Sequence, residues 1–353
     1  MNDTEPERCA PAAGAVRLPA EWEPQQAVLL AWPHEETDWN YMLPQVTACY
    51  EELARAIARF AKLIVVAPQT DAIRERLSAI PEERIAFLDI VTNDTWTRDY
   101  GAITTLTADG SPVYNDFCFN GWGLKFAANH DNLVTRKMVF SGLLAGRYRN
   151  ELGFVLEGGS IESDGAGTIL TTRECLLSPN RNGDLTRREI GRKLKSVFGA
   201  QRVLWLDHGA LAGDDTDSHI DTLARLAPDN TIIYVGCDDP ADEHFAELHA
   251  MRSDLRAMRS ASGEPFNLVE LPLPDAIYDD EGNRLPATYA NFLIVNNGVL
   301  VPVYNQPKKD RLACQIIRVA FPGHEIVPVD CRALIQQHGS LHCATMQFPV
   351  INF

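Results

Sequence analysis

The chain has 353 residues, of which 45% are hydrophobic and 23% are charged, a balance typical of a globular protein. Its 48 acidic and 32 basic side chains leave a formal net charge of -16, which repels nucleic acid and anionic membranes and attracts cations. We therefore expect no nucleic-acid or membrane partner, and the charge favours a small cationic substrate.

The cysteines and the N-terminal segment indicate a cytoplasmic protein. Residues 1–8 are acidic and polar, no apolar signal region follows them, and no apolar run is long enough to span a bilayer. The eight cysteines would then be reduced thiols, and most are predicted to be small buried hydrophobic residues. No Cys-x-x-Cys pair is present, which argues against a zinc ribbon or thioredoxin-type chemistry.

Short apolar runs typical of buried strands alternate with amphipathic helical patterns. In chain order the sequence predicts strand 27–32, helix 46–61, strands 63–67, 85–91 and 168–172, helix 186–198, strand 231–235, helix 245–258, strands 292–295 and 299–304, and helix 311–321. Asn296-Asn297-Gly298 predicts a hairpin turn, which argues against a purely parallel sheet. No linker or phosphate-binding glycine loop interrupts this order, so we predict one mixed α/β domain over residues 1–353.

The most informative segment is Asp214-Asp215-Thr216-Asp217-Ser218-His219-Ile220-Asp221. An extended backbone would place Asp217, His219 and Asp221 on one face. A histidine between carboxylates suits proton transfer beside a cation, and a metal site is the alternative. A calcium loop starting at Asp215 would need glycine and glutamate where Ile220 and Leu226 stand, so metal is the weaker interpretation.

Two further carboxylates and one cysteine occupy turn-like contexts. Asp99 follows an apolar run and a polar turn, where functional side chains collect, although an ion pair with Arg98 is the alternative. Glu157 precedes two glycines, which suggests a sharp turn or a close approach, although a solvated turn glutamate is the alternative. Cys343 follows a glycine-containing bend. On a strand His342 would face away from it, so we do not assign His342 as the base.

Together, one thiol, one histidine and three carboxylates match the hydrolysis of a guanidinium group. Two carboxylates can accept the planar N–H groups of the cation. A thiolate attacks the guanidinium carbon, while a histidine protonates the departing amine and then deprotonates water.

At these residues the sequence resembles the agmatine deiminase family, which includes the bacterial-type peptidylarginine deiminases. The matching segments follow the family's order and span nearly the whole chain. They are Trp96-Thr97-Arg98-Asp99-Tyr100-Gly101, Phe119-Asn120-Gly121-Trp122-Gly123, Glu157-Gly158-Gly159-Ser160, Ser178-Pro179-Asn180-Arg181-Asn182, Asp214 to Asp221, Ala290-Asn291-Phe292 and His342-Cys343.

The resemblance implies the pentein fold, a five-bladed pseudo-symmetric α/β propeller of strand–helix–strand units with the active site near its centre. It implies that Cys343 is the nucleophile and His219 the general acid/base. Asp99 and Asp221 would grip the guanidinium, and Glu157 would help to hold substrate and histidine. Candidate pocket residues are Trp96 and Trp122, for which core packing is the alternative, together with Asp217.

The implied activity is hydrolysis of agmatine to N-carbamoylputrescine and ammonia, without metal or cofactor. We also expect a homodimer, as is common for large enzymes. The sequence departs from the family beside the nucleophile, where His338-Gly339-Ser340-Leu341 replaces a glycine-rich approach, and at Leu124, where glycine is common. The alternatives are a deiminase of free or peptidyl arginine, an amidinotransferase, a non-catalytic guanidinium- or polyamine-binding protein and a metal-dependent hydrolase.

Overall fold

A computed structural model describes residues 16–350, which form five separate sheets. The strands are β1 (Val16–Arg17), β2 (Gln25–Ala31), β3 (Lys62–Ala67), β4 (Ile85–Asp89), β5 (Ile103–Thr107), β6 (Pro112–Cys118), β7 (Arg147–Val155), β8 (Ile161–Ser163), β9 (Thr168–Thr172), β10 (Arg202–Leu206), β11 (Ala224–Ala227), β12 (Thr231–Gly236), β13 (Asn267–Pro272), β14 (Leu293–Val295), β15 (Gly298–Val303), β16 (Glu325–Asp330) and β17 (Met346–Pro349).

Ten helical segments connect or cover these strands. They are α1 (Leu43–Ala58), α2 (Asp71–Arg76), α3 (Thr97–Tyr100), α4 (Gly121–Leu124), α5 (Val134–Phe140), α6 (Arg173–Leu176), α7 (Pro179–Asn182), α8 (Arg187–Phe198), α9 (Phe245–Ala257) and α10 (Pro307–Ala320). No helix within residues 16–350 has the length and apolar character needed to cross a membrane.

The five sheets repeat one pattern, in which a strand pairs antiparallel with the next and that strand pairs parallel with a third. The five trios are β5-β6-β7, β8-β9-β10, β11-β12-β13, β14-β15-β16 and β17-β2-β3. Parallel neighbours need a crossover connection, and in every trio a helix lies between the second and third strands. Strands β1 and β4 extend two of the sheets at their edges.

This repeated unit is the pentein architecture, so the α/β fold class predicted from the resemblance is confirmed. The trio β17-β2-β3 joins the two ends of the described chain. Val28, Leu29 and Leu30 on β2 are completely buried, because helices and neighbouring sheets cover both faces of the central strands.

The predicted strands and helices all occur, with shifted boundaries. Helix α10 begins at Pro307, one turn before the predicted start, because proline is tolerated where the first helical N–H has no intrahelical partner. Thr186 lies just outside α8 as its N-cap: its hydroxyl accepts a hydrogen bond from the Glu189 N–H, and the Glu189 side chain accepts from the Thr186 N–H. The hairpin predicted at Asn296 connects β14 to β15.

Candidate active site

Each of the five repeated units contributes a polar residue from the same position, immediately before its first strand. These residues are Asp99 before β5, Glu157 before β8, His219 and Asp221 before β11, Asn291 before β14 and Cys343 before β17. All of them are buried. The repeat thus brings together the five residues predicted from the sequence as catalytic, and it adds Asn291, which was noticed only as part of a motif.

The segment that carries His219 is a bend, so the extended conformation considered from the sequence is wrong. Asp217 and Ser218 adopt positive φ angles of 63° and 65°. The Asp214 carboxylate stabilises this bend by accepting hydrogen bonds from the Thr216 hydroxyl and the Ser218 N–H, both at 2.6 Å. Aspartate commonly organises turns through such bonds to the following backbone.

Asp217 consequently makes contacts different from those of His219 and Asp221. Its carboxylate oxygens lie 2.8 Å from Lys125 Nζ and 2.5 Å from Arg181 Nη1. The hydrogen bonds and charges of these two cations outweigh its partial burial and lower the pKa of Asp217. These ion pairs support a role for Asp217 in ordering the loop, and its assignment as a substrate-binding residue stays a prediction.

His219 is buried, and neither ring nitrogen has a hydrogen-bond partner among residues 16–350. Its Nδ1 lies 3.6 Å from Oδ1 of Asp99. Burial disfavours the charged ring, but Asp99, the Cys175 thiol and Glu157 raise the pKa of His219 well above its usual value. The surroundings of the ring therefore favour the charged imidazole, which has a proton to donate.

Asp99 and Asp221 retain acceptor capacity for a cation. Asp99 accepts hydrogen bonds from Trp122 Nε1 at 2.8 Å and from the Gly159 N–H at 3.1 Å. Burial raises the pKa of Asp99 to about 6; the His219 charge opposes this shift and Asp221 adds to it. Oδ1 of Asp221 is buried and unpartnered among the described residues. A guanidinium would satisfy such oxygens through its N–H groups.

Gly159 is the point at which the histidine and both aspartates approach one another. A Cβ atom built there would lie 2.7 Å from Nδ1 of His219, 2.9 Å from Oδ1 of Asp99 and 3.1 Å from Oδ2 of Asp221. These separations are too short for carbon against nitrogen or oxygen. The close backbone approach anticipated from the Glu157-Gly158-Gly159 sequence is thus present, and glycine alone leaves the space open.

Cys343 lies on a turn held by Asn291. The Asn291 side-chain oxygen accepts hydrogen bonds from the N–H groups of His342 at 2.9 Å and Cys343 at 3.3 Å, and its Nδ2 is 3.2 Å from the sulfur. Burial, followed by the charges of Asp221 and Asp99, raises the pKa of the Cys343 thiol well above its usual value. The empty pocket therefore favours the neutral thiol, and a bound cation would favour the thiolate.

Arg181 links Glu157 to the loop that carries His219. Arg181 donates from Nε to Glu157 Oε1 at 2.8 Å and from Nη2 to the Thr216 carbonyl at 2.8 Å. The second Glu157 oxygen is buried without a partner among residues 16–350. Glu157 can therefore be held by Arg181 while offering one oxygen to a ligand. The sequence contained Arg181 within a family motif, but no role had been assigned to it.

His342 connects the site to a buried ion network. Its Nδ1 lies 2.7 Å from Asp221 Oδ2, and its Nε2 lies 2.7 Å from Glu21 Oε2. Glu21 also contacts Nη2 of the buried Arg225 at 2.9 Å. Burial opposes ionisation of Glu21, but His342 and Arg225 lower the pKa of that carboxyl well below its usual value. Sequence reasoning missed Glu21, which lies 321 residues from His342.

A pocket leads from the surface to Cys343 and Asp99. It is lined by aromatic and polar residues, namely Asp94, Trp96, Asp99, Trp122, Phe126, Asp215, Thr216, Gln337, His338, Gly339 and Cys343. Trp96 and Trp122 also pack against Trp39 and Phe119, with ring centroids 5.7 and 4.9 Å apart. Each tryptophan thus combines the pocket-wall role and the core-packing role that the sequence left as alternatives.

Two groups of side chains place possible metal-ligand atoms within 4.8 Å of one another, namely Glu157, Cys175 and His219, and Glu21, Glu162 and His342. Arginine already contacts the carboxylates of both groups. A guanidinium beside each group already supplies positive charge, which disfavours a metal ion there.

The fold and the site together define a pentein with a buried thiol, a histidine and carboxylates from four of the five units, to which the fifth adds Asn291. The family model for Porphyromonas-type peptidyl-arginine deiminase matches residues 17–349. The chain therefore belongs to that family, as the resemblance of its motifs indicates.

Agmatine deiminases and a structure described as an arginine deiminase both match nearly the whole chain. The agmatine deiminase of Pseudomonas aeruginosa is 34% identical, with 96% of this chain and 97% of the relative covered. A C. jejuni agmatine deiminase variant solved with substrate bound is 39% identical with a TM-score of 0.87, over 94% of this chain and 96% of that chain. A Porphyromonas gingivalis structure described provisionally as an arginine deiminase is 50% identical with a TM-score of 0.90, over 95% and 98%. A dimethylarginine dimethylaminohydrolase, at 13% identity and a TM-score of 0.51, shares the fold alone.

Proposed function

We propose that this protein hydrolyses agmatine to N-carbamoylputrescine and ammonia through a covalent amidino-cysteine intermediate. The observation that carries the proposal is the placement of the Cys343 sulfur 3.7 Å from Oδ2 of Asp221, whose other oxygen is buried and unpartnered among the described residues. A planar cation bound by Asp221 would hold its central carbon beside the sulfur. The agmatine deiminase relatives support the same reaction.

The reaction begins as the cation binds and the Cys343 thiol releases its proton to solvent water. The thiolate forms a C–S bond to the guanidinium carbon, and His219 donates its proton to one terminal nitrogen, which leaves as ammonia. His219 then accepts a proton from water as the oxygen bonds to the same carbon. Collapse of the tetrahedral adduct breaks the C–S bond and releases the ureido product, and the hydroxyl proton of the adduct passes to the sulfur, which restores the thiol.

The carboxylates act on charge and orientation. Asp99 and Asp221 would accept N–H groups of the guanidinium, and Glu157 would contact both His219 and the substrate. Because all three are buried, their attraction for the cation is screened less than it would be at the surface. The reaction as written needs no metal or cofactor.

Hydrolysis of free or peptidyl arginine is the nearest alternative, and the P. gingivalis neighbour keeps it open. Free arginine adds a carboxylate to the substrate. None of the described residues that line the pocket is an arginine or a lysine, so the pocket offers no permanent cation to such a carboxylate. An amidinotransferase would need an acceptor amine in place of water, and a binding protein would retain the pocket without turnover.

Parallel assays with agmatine, free arginine and a blocked arginine peptide test the proposal, with ureido product and ammonia measured for each. We expect product from agmatine and none after Cys343→Ala. Cys237→Ala, which removes another buried cysteine outside the pocket, is the control and should retain activity. Turnover only of arginine or the peptide would reassign the substrate. Tight agmatine binding without product would indicate a binding protein, and loss of activity in chelator would indicate a metal-dependent hydrolase.

We further infer that residues 1–353 act as one catalytic domain, since all five units supply site residues. A cytoplasmic location and a homodimer stay predictions. The seven cysteines within residues 16–350 are free thiols, which suits a reducing compartment.

A further inference from the structure

Two aspartates outside the catalytic set line the pocket that leads to Cys343. Asp94 and Asp215 are half-buried and share this lining with Trp96 and Trp122. Oδ1 of Asp94 accepts hydrogen bonds from the N–H of Thr95 at 2.7 Å and from its hydroxyl at 3.3 Å. Within residues 16–350, Asp94 Oδ2 and the Asp215 carboxylate accept no hydrogen bond and join no ion pair.

Lys125 lies near this pair of aspartates but is held elsewhere. Its ammonium contacts the backbone carbonyl of Asp215 and the carboxylate of Asp217, the latter at 2.8 Å. Lys125 is absent from the lining of the pocket. The lining therefore holds three carboxylates, those of Asp94, Asp99 and Asp215, and three aromatic rings, with His338 as the sole ionisable base among the described lining residues.

The buried side chains beside Cys343, at the end of this pocket, independently point to a cation. Asp221 Oδ1 and Glu157 Oε2 are buried acceptors without partners among the described residues, and they lie around Cys343 and His219. A ligand whose guanidinium satisfies them would pass its alkyl chain between the tryptophans. The far end of that ligand would then reach the aspartates.

We propose that Asp94 and Asp215 form a subsite for the terminal ammonium of the substrate and thereby select an aminoalkylguanidine over arginine. This inference rests on the proposed function and names the group that distinguishes the substrates. Two carboxylates stabilise an ammonium by charge-assisted hydrogen bonds. They repel the α-carboxylate that arginine would carry at the same end.

The surroundings of Asp94 and Asp215 disfavour two negative charges side by side. Burial raises the pKa of Asp94 to about 7; hydrogen bonds from Thr95 oppose the shift, and the charges of Asp38 and Asp215 add to it. Burial likewise raises the pKa of Asp215, where His338 and Lys125 oppose the charge of Asp214. A bound ammonium would favour the ionised form of both groups.

The test compares agmatine with butylguanidine, which has the same four-carbon chain without the ammonium. The kcat/KM ratio of agmatine to butylguanidine is measured for the wild type, Asp94→Asn and Asp215→Asn. Asp238→Asn is the control because it removes one acidic charge at an exposed position outside the pocket. We expect each pocket variant to lower the ratio by about tenfold or more, while Asp238→Asn leaves it unchanged.

Each outcome has a separate meaning. A variant that lowers kcat/KM for both substrates by the same factor has a disturbed pocket and no specific loss of ammonium binding. That result in both variants overturns the ammonium subsite. A ratio that stays at the wild-type value also overturns it. If the wild type turns over arginine and neither of the other two guanidines, the proposed function itself fails. A lowered ratio together with improved arginine turnover in Asp215→Asn supports selection by repulsion.

Discussion

The His342 ring lies between two carboxylates, with Nδ1 2.7 Å from Asp221 and Nε2 2.7 Å from Glu21. Nη2 of Arg225 also lies 3.0 Å from Nε2, so the ring joins Asp221 to the buried ion network of Glu21 and Arg225. The His342 ring therefore orients Asp221. The Cys343 sulfur in turn contacts Asp221. This arrangement agrees with the decision not to assign His342 as the base.

His342→Gln should impair both stability and turnover. Glu21 keeps its ion pair with Arg225, but an amide that no longer donates to Asp221 leaves that buried carboxylate without its hydrogen bond, at a cost of about 1–3 kcal/mol in the free energy of unfolding. Urea denaturation and agmatine kinetics measure the two effects. The exposed His249→Gln should change unfolding by less than about 0.5 kcal/mol. Equal stability of the two variants would contradict the buried link from Asp221 through His342 to Glu21.

Alkylation of Cys343 should depend on the charge of the reagent. In the empty site the raised thiol pKa keeps the sulfur protonated, whereas a cationic reagent that binds between Asp99 and Asp221 favours the thiolate. We expect the ratio of the chloroacetamidine rate to the chloroacetamide rate to be about tenfold higher at Cys343 than at free cysteine. Mass spectrometry of the modified protein gives both rates. Asp221→Asn should reduce this preference, and an unchanged preference would contradict the role of Asp221.

The pH profile of kcat/KM should show an acid limb set by Asp99. Its pKa of about 6 means that the carboxylate gains a proton as the pH falls through 6, and the protonated form binds a guanidinium poorly. His219, with its pKa raised well above the usual value, stays charged across this range. We therefore expect kcat/KM to fall below pH 6. A profile that stays flat to pH 4.5 would contradict this assignment.

Trp122→Phe should move that acid limb to higher pH. The indole N–H donates to Asp99 at 2.8 Å and favours the ionised carboxylate, so its removal raises the pKa of Asp99 further. A shift of about one pH unit is expected. Trp205→Phe, which changes a tryptophan outside the pocket, is the matched control. If activity falls but the acid limb of the pH profile stays at the same pH, the Trp122 ring acts only by packing.

Gly159→Ala should reduce kcat/KM by about a hundredfold or more, because the new methyl group would displace His219 and both aspartates from their positions. Gly153→Ala is the control, since a Cβ there meets no atom within 4 Å, and its activity should match the wild type. Thermal unfolding of both variants separates a misplaced site from an unfolded chain. Wild-type turnover by Gly159→Ala would show that the site has more room than its geometry indicates.

Local sequence patterns determined much of this protein. The apolar runs predicted the central strands, and Thr186 with Glu189 marked the start of α8, because burial on one face and helix capping depend on residues close in the chain. The motif segments likewise contained every predicted catalytic residue. The fivefold repeat did not appear in the sequence itself, since the five units share a pairing pattern and not a residue pattern.

Tertiary structure alone decided which side chains meet. Glu21 reaches His342 across the sheet that joins the two ends of the described chain, and Asp94 joins Asp215 only where two units face one pocket. The bend at Asp217 also differs from the extended backbone considered from the sequence, because the Asp214 carboxylate accepts hydrogen bonds from Thr216 and Ser218. The spacing of apolar residues along the chain indicates which face of a helix or strand is buried. The residues that this face contacts depend on how distant elements pack, so no local pattern predicts those contacts.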